Sequence, residues 1–396
     1  MADSRRESPV GRRRVSRFSL PAAASVLAIG LGLSGAVPTE KSAAAGSPGM
    51  TRSYVVTYFY GVISPNSEKD DCPKGFAKAP DPADYFKDLT PTQLHDLETS
   101  GAQRGRLAYL MDHRGPGGRG ICENPTLEPA SAMPVGQSKI GYGLHLDGAN
   151  AANAPLCAHE EMTSPDGVQH VDNQLERLSA CIQQRRSNGY LPSYELALMH
   201  AGEFTLLIQV SGIHDLKNDD NVKVTVTSSV DPLVFAPDGE TPLQFASYTL
   251  SQIPKYTNVL AGRIKDGVLE TEPHDIVLPS NEFRKEETFR DAQLSLVFQP
   301  NGTLKGLLGG YKQLDEIYRQ LAWDGALGES IAGPYSCSAF YNAMHALADG
   351  FPDPKTGRCT AISSATKIEA IPAFAVPPPR RTTSASAKPS PQRGPA

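Results

Sequence analysis

From Glu203 onward, short β-branched and apolar runs are separated by turn residues, and this texture predicts strands joined by hairpins. Phe204–Val210 and Val222–Thr227 flank an acidic loop, Asp215–Asn221. Leu260–Ile264 and Val268–Glu270 flank Asp266-Gly267, and Leu294–Gln299 and Thr303–Leu308 flank Asn301-Gly302. Asp-Gly and Asn-Gly between such runs are strong short-range hairpin signals. Earlier, Ser53–Ile63 reads as a buried strand. Helical spacing is confined to a few stretches. Thr90-Pro91-Thr92-Gln93 offers an N-cap, a first-turn proline and a capping-box glutamine, with Gly101 as the stop. Val171, Leu175, Leu178 and Ile182 fall on one helical face, predicting a helix opened by Asp172-Asn173, carrying Cys181 and ending at Asn188-Gly189. Ser193–His200 and Ser338–Ala348 complete the set, and Gly309-Gly310-Tyr311 reads as a turn into a helix over Leu314–Ala322. Strands do not alternate with helices, which argues against a parallel doubly wound sheet, and no internal repeat is present. The expected fold class is α+β and β-rich, an antiparallel sheet or sandwich with helical decoration.

Composition changes this picture at the two ends. Six arginines precede residue 18, Leu20–Val37 is apolar and uncharged, and Ala43-Ala44-Ala45 supplies small residues. That order predicts a secretory signal over residues 1–45, by a Sec or a twin-arginine route. From Val376 a Pro/Ser/Ala/Arg tail to Ala396 has little to bury and is expected to be disordered. Between them lie a mixed, disulfide-stapled part, 46–202, and a β-rich part with C-terminal helices, 203–375. Seven and four of the 38 Lys/Arg and three of the 43 Asp/Glu fall in the two ends, leaving 27 against 40, a net −13. An acidic body argues against a nucleic-acid partner. No later stretch is apolar enough to span a bilayer once the signal is removed.

All six cysteines, Cys72, Cys122, Cys157, Cys181, Cys337 and Cys359, lie within this body. An even number in an exported chain predicts three disulfides. Proximity favours Cys72–Cys122, Cys157–Cys181 and Cys337–Cys359, the second pinning a loop rich in polar residues. The stretch from Gly141 to Cys181 contains Gly143-x-x-Leu146-Asp147-Gly148, Cys157-x-His159, Ser164-Pro165-Asp166-Gly167 and Asp172-Asn173-Gln174. The string resembles one in uncharacterised secreted bacterial proteins, as does the Gly306-x-x-Gly309-Gly310 run. The resemblance covers about 40 residues; it implies export and no particular activity.

Candidate chemistry concentrates in the same stretch. Asp147, Asp166, Asp172 and Asn173 are hard oxygen donors suited to Ca2+. An EF-hand is excluded, because Gly167 at the sixth position would put Met162 first and Asn173 twelfth. The competing reading of the same residues is a Pro-Asp-Gly turn and a helix cap. His145, His159 and His170 with Glu160 and Glu161 suggest a transition metal, but H-E-x-x-H is missing. No G-x-S-x-G is present. The Gly-rich run 114–120 lacks the Lys-Ser/Thr of a phosphate loop and reads as a surface loop. Asn301-Gly302-Thr303 matches a glycosylation acceptor but reads as a tight hairpin, and Trp323 reads as core packing. Glu203, Asp215, Glu270 and Asp291 lie in or beside predicted strands and are candidates for paired-carboxylate hydrolysis. These readings together predict an exported binding or structural protein with an extracellular or envelope ligand, supported by calcium. The alternative is an extracytoplasmic hydrolase acting on polysaccharide.

Overall fold

The computed structural model describes residues 49–78, 89–99, 122, 124–126, 132–146, 156–157, 160–281, 284–320 and 337–379. The leader, the tail from Arg380, the Gly-rich run, Asp147, His159 and Trp323 lie outside them.

Among the described residues eleven strands form one sheet: β1 (Met50–Gly61), β2 (Thr205–Ile213), β3 (Asp219–Ser229), β4 (Ser247–Thr249), β5 (Asn258–Lys265), β6 (Val268–Thr271), β7 (His274–Pro279), β8 (Glu286–Phe298), β9 (Leu304–Gln313), β10 (Gly350–Pro352) and β11 (Cys359–Val376). The path β1-β2-β3-β5-β6-β8-β9-β11 follows chain order, every neighbour is antiparallel, and β11 pairs back with β1. The result is an eight-stranded closed barrel. The antiparallel, β-rich expectation therefore holds; of the sheet and sandwich arrangements expected, the strands form a single sheet that closes on itself. Closure leaves β1 and β11 no open edge along their paired length. Three strands lie off the barrel path: β4 runs parallel to the end of β11, β7 pairs the first half of β8, and β10 pairs the start of β11.

Alternation decides what fills the barrel. Leu206, Ile208 and Val210 of β2, Val222, Val224 and Val226 of β3, and Ala292, Leu294 and Leu296 of β8 point into one buried cluster. The intervening residues face outward. The void among Val56, Phe59, Ile208 and Ile276 is about 10 Å³, room for at most one water. The interior is thus a packed core, as small barrels allow, and ligand space must lie outside. Gly306 permits tight β8–β9 packing, since a Cβ there would sit 2.0 Å from the Ser295 carbonyl oxygen.

Among the described residues six α-helices decorate the barrel: α1 (Glu68–Asp71), α2 (Pro91–Thr99), α3 (Gln174–Ser179), α4 (Leu191–His200), α5 (Leu314–Tyr318) and α6 (Cys337–Leu347). The capping box of α2 forms as expected: Thr90 N–H donates to Gln93 Oε1 (2.9 Å) and Gln93 N–H to Thr90 Oγ1 (3.3 Å). Helix α4 places Met199 in the barrel core. Helices α3, α5 and α6 share a second core with Ile362 and Cys359 of β11. A third covers the outer face of β1 and β2, where Leu233 and Tyr248 meet Val55 and Leu207.

Several expectations are corrected. The helix opened at Asn173 ends at Ser179, and Gln183–Arg185 is a separate 3-10 turn. Gly309-Gly310-Tyr311 is mid-strand in β9. The cysteines pair as Cys72–Cys181, Cys122–Cys337 and Cys157–Cys359, with no free thiol, so none of the proximity pairings forms. Loop-closure entropy grows only logarithmically, about 0.6 kcal/mol per doubling. Sequence distance is therefore easily overruled by a barrel that brings distant segments together.

Candidate functional site

A groove of about 840 Å³ lies between the barrel's outer wall and a strap laid across it. The strap is built from residues 139–146 and 160–174. Gly141 N–H donates to Thr163 O (3.1 Å), Met162 and Val171 exchange two bonds of 3.0 Å, and Asp172 N–H donates to Leu144 O (2.9 Å). The strap lies close to the barrel because β9 offers a bare backbone there: a Cβ on Gly309 would meet Leu144 at 3.0 Å.

Ser164-Pro165-Asp166-Gly167 folds as a turn. Gly167 N–H donates to Ser164 O (2.9 Å), Val168 N–H to Ser164 Oγ (3.0 Å), and Gly167 takes φ +92°. Asp166 accepts from the Ser164 hydroxyl. Asp172 is buried, and its Oδ2 accepts from Leu146 N–H (2.7 Å). Asn173 Oδ1 caps α3 by accepting from Glu176 N–H (3.1 Å). Of the four expected calcium ligands, Asp172 and Asn173 are thus engaged with backbone, Asp166 lines the groove, and Asp147 lies outside the described residues. The turn-and-cap reading describes this geometry. Among the described residues no group of three or more His, Cys, Asp or Glu side chains is arranged to hold a metal. His145 Nδ1 contacts His170 O (2.9 Å), and His170 pairs with Glu161.

Facing the strap are outward side chains of three adjacent strands: Arg263 of β5, Glu270 of β6, and Gln293 and Ser295 of β8, with Leu307 of β9 and the buried Thr271 beside them. Arg263 donates to Glu270 Oε2 from Nε (3.1 Å) and Nη2 (2.8 Å). From the strap side come Tyr142, 40% exposed, together with His145 and Val168. The floor is therefore polar and the rim partly aromatic. Of the carboxylates proposed for paired chemistry only Glu270 reaches this groove, where it is joined by Asp166. Gln293 and Ser295 were not singled out from the sequence. Their signal was available, since residues alternating with Ala292, Leu294 and Leu296 must face outward.

Two buried polar networks hold the strap. Ser363 donates to Asp349 from its backbone N–H (2.7 Å) and hydroxyl (2.5 Å), while its Oγ accepts from Gln174 N–H (2.9 Å). Burial pushes the Asp349 carboxyl up to about 7, against the Ser363 bonds, with the charge of Asp172 adding to the rise. Below the strap, Asp71 pairs with Arg186 (2.7 Å), and Asn66 links Asp71 (3.1 Å) to Ile140 O (2.7 Å). Glu176 is pushed up to about 8 by burial and by the negative charge of Asp71.

A stability dependence follows from these two carboxyls. Both hold a proton in the folded state that the unfolded chain releases near its ordinary pKa. Their contribution is complete below that ordinary value and is lost as pH rises through about 7 to 8. Glu176→Gln is expected to match the wild type at pH 4 and to exceed it in urea midpoint at pH 8.5. An equal difference at both pH values would refute the burial of a protonated Glu176.

Three disulfides match the chemistry of an oxidising compartment, and no described helix is long and apolar enough to cross a membrane. Set against protein-family models, curated proteins and solved structures, the chain finds no match in any of the three.

Proposed function

We propose that this is an exported binding protein of the cell envelope or medium, and that a polyhydroxylated, glycan-type ligand lies in the groove between strap and barrel. The observation that carries the reading is the lining of that groove. Tyr142 offers an exposed ring, which is apolar in body and polar at its tip. Gln293 and Ser295 offer neutral donors and acceptors on a rigid sheet. The filled barrel interior leaves the outer wall as the place to bind. Export is supported by the three disulfides and by the basic, apolar, small-residue order of the leader.

Calorimetric titration with neutral cello-, chito- and malto-oligosaccharides tests it. At least one series should bind saturably, and Tyr142→Ala and Gln293→Ala should each weaken it about tenfold, roughly 1.4 kcal/mol. Absence of binding to every series by folded protein, or binding untouched by both substitutions, would reject the proposal. The hydrolase reading has one observation in its favour, that Asp166 and Glu270 share the groove. It requires new reducing ends to appear, and Glu270→Gln to abolish their release while leaving binding intact.

A further inference from the structure

Beyond the groove, on the outer face of the same strand β8, one cation is held in an unusual way. The register of β8 against β9 shifts between Arg290 and Gln293, and Asp291 sits in the left-handed region at φ +47°. Its N–H is taken by Asp275 Oδ1 (2.9 Å). Bulges of this kind re-aim side chains. Here the neighbouring Arg290 lays its guanidinium 3.5 Å above the centre of the Phe351 ring. Phe351 is itself a non-glycine residue at φ +54°, and the buried Tyr311 ring meets it edge-on at 5.4 Å. Two strained residues thus converge on one arginine, which is the sense in which backbone outliers point to function. Arg284 and Lys312, in the nearby charged network, each hold a carboxylate. Among the described residues Arg290 pairs with none.

Arg290 opens onto a cavity of about 530 Å³ that Phe351, Pro352, Asp353, Pro354 and Thr360 also line. Thr360 Oγ1 is already committed to Phe351 O (2.8 Å). Asp353 Oδ1 accepts from the N–H groups of Lys355 (2.9 Å) and Thr356 (2.8 Å) and from the Thr356 hydroxyl (3.1 Å), which holds its carboxyl below the usual range. The geometry points to a binding site for a small monocarboxylate with an apolar body. The face of the guanidinium is spent on Phe351, and its N–H edge is left for a planar, bidentate acceptor. The ring and the two prolines supply apolar walls. The ionised Asp353 in the same cavity penalises a doubly charged phosphate more than a singly charged carboxylate. The inference is independent of what occupies the groove.

The test is titration of the intact protein with benzoate, acetate and inorganic phosphate at constant ionic strength, with chloride as the balancing anion. Benzoate should bind saturably, more tightly than acetate and than phosphate. Arg290→Gln and Arg290→Lys should each weaken benzoate at least tenfold, the lysine because it keeps the charge but lacks the fork. Asp353→Asn, whose amide oxygen can still accept the turn N–H groups, should narrow the gap between phosphate and benzoate. No saturable binding of any of the three, or benzoate binding unchanged in both Arg290 variants, overturns the site. Phosphate binding more tightly than benzoate in the wild type overturns the carboxylate assignment. If Arg290→Gln only lowers the melting temperature, and the wild type does not bind benzoate, the stacked arginine is a packing contact and the proposal fails.

Discussion

Serine at both Cys72 and Cys181 is expected to lower the unfolding free energy by about 4 to 5 kcal/mol. The bond spans 109 residues, and a cross-link closing a loop of about that length removes a corresponding amount of conformational freedom from the unfolded chain. The site adds to the effect. Cys181 is fully buried, and its neighbours are the paired Asp71 and Arg186, which anchor the segment under the strap. The measurement is the urea midpoint under conditions that keep Cys122–Cys337 and Cys157–Cys359 oxidised, with the slope checked for a change in the unfolded state. A loss below about 1 kcal/mol would show that this bridge does not constrain the unfolded chain as its span requires. The Cys157→Ser/Cys181→Ser pair makes a useful contrast. It breaks two bridges and strands Cys72 and Cys359, so it should be worse than either native pair removed alone.

Glu287→Gln is expected to cost about 3 to 5 kcal/mol, the range for breaking a buried ion pair from one side. Glu287 lies in β8 next to the barrel's apolar filling and holds Arg284 (2.5 Å) and Lys312 (2.7 Å). Arg284 has a second carboxylate in Glu195 of α4, which Asn281 also contacts (2.9 Å). Lys312, set 4.5 Å above the Phe289 ring, loses its one acid partner among the described residues. Burial alone would raise the Glu287 carboxyl, but the two cations outweigh it and hold it down to about 2. The sign follows from that depression. The contribution is complete above the ordinary glutamate value of 4.5 and is lost as pH falls from there toward 2. The wild type should therefore lose urea midpoint steeply over that window, and Glu287→Gln should lose much less. Parallel acid limbs would show that other carboxylates carry the transition.

How much of this was legible in the chain depends on the range of the interaction. The Thr90/Gln93 capping box and the Asp266-Gly267 hairpin are local, and both form as read; Asp266 and Gly267 both take positive φ, as the tight turn requires. The Pro-Asp-Gly turn and the Asn173 cap are equally local. Strand β11 was not legible. Its run of Ala, Ser and Thr with an internal Pro372 carries little β signal, yet its neighbours on both sides make it a central wall. Gly309-Gly310 looked like punctuation because the two glycines serve packing: Gly309 admits Leu144, and a Cβ on Gly310 would press on Ala292 and Phe289 at 3.2 Å. The closure that turns a sheet into a barrel rests on pairs such as Val55 with Ile371. No local pattern reports a contact across more than 300 positions. The groove inherits the same difficulty, since it needs a strap from one half of the chain and three strands from the other.

The last wall to be made is the one that seals the barrel. While the polypeptide is delivered from its N-terminus, β1 has only β2 to pair with, and its other side stays bare until β11 arrives. Cys122 and Cys157 wait equally long, because their partners sit at positions 337 and 359. A chain cut short before residue 337 is thus left with an unsealed sheet and two reactive sulfurs at once, the combination that invites intermolecular strand exchange and mixed cross-links. Sealing of this molecule therefore falls on Cys337, Cys359 and strand β11.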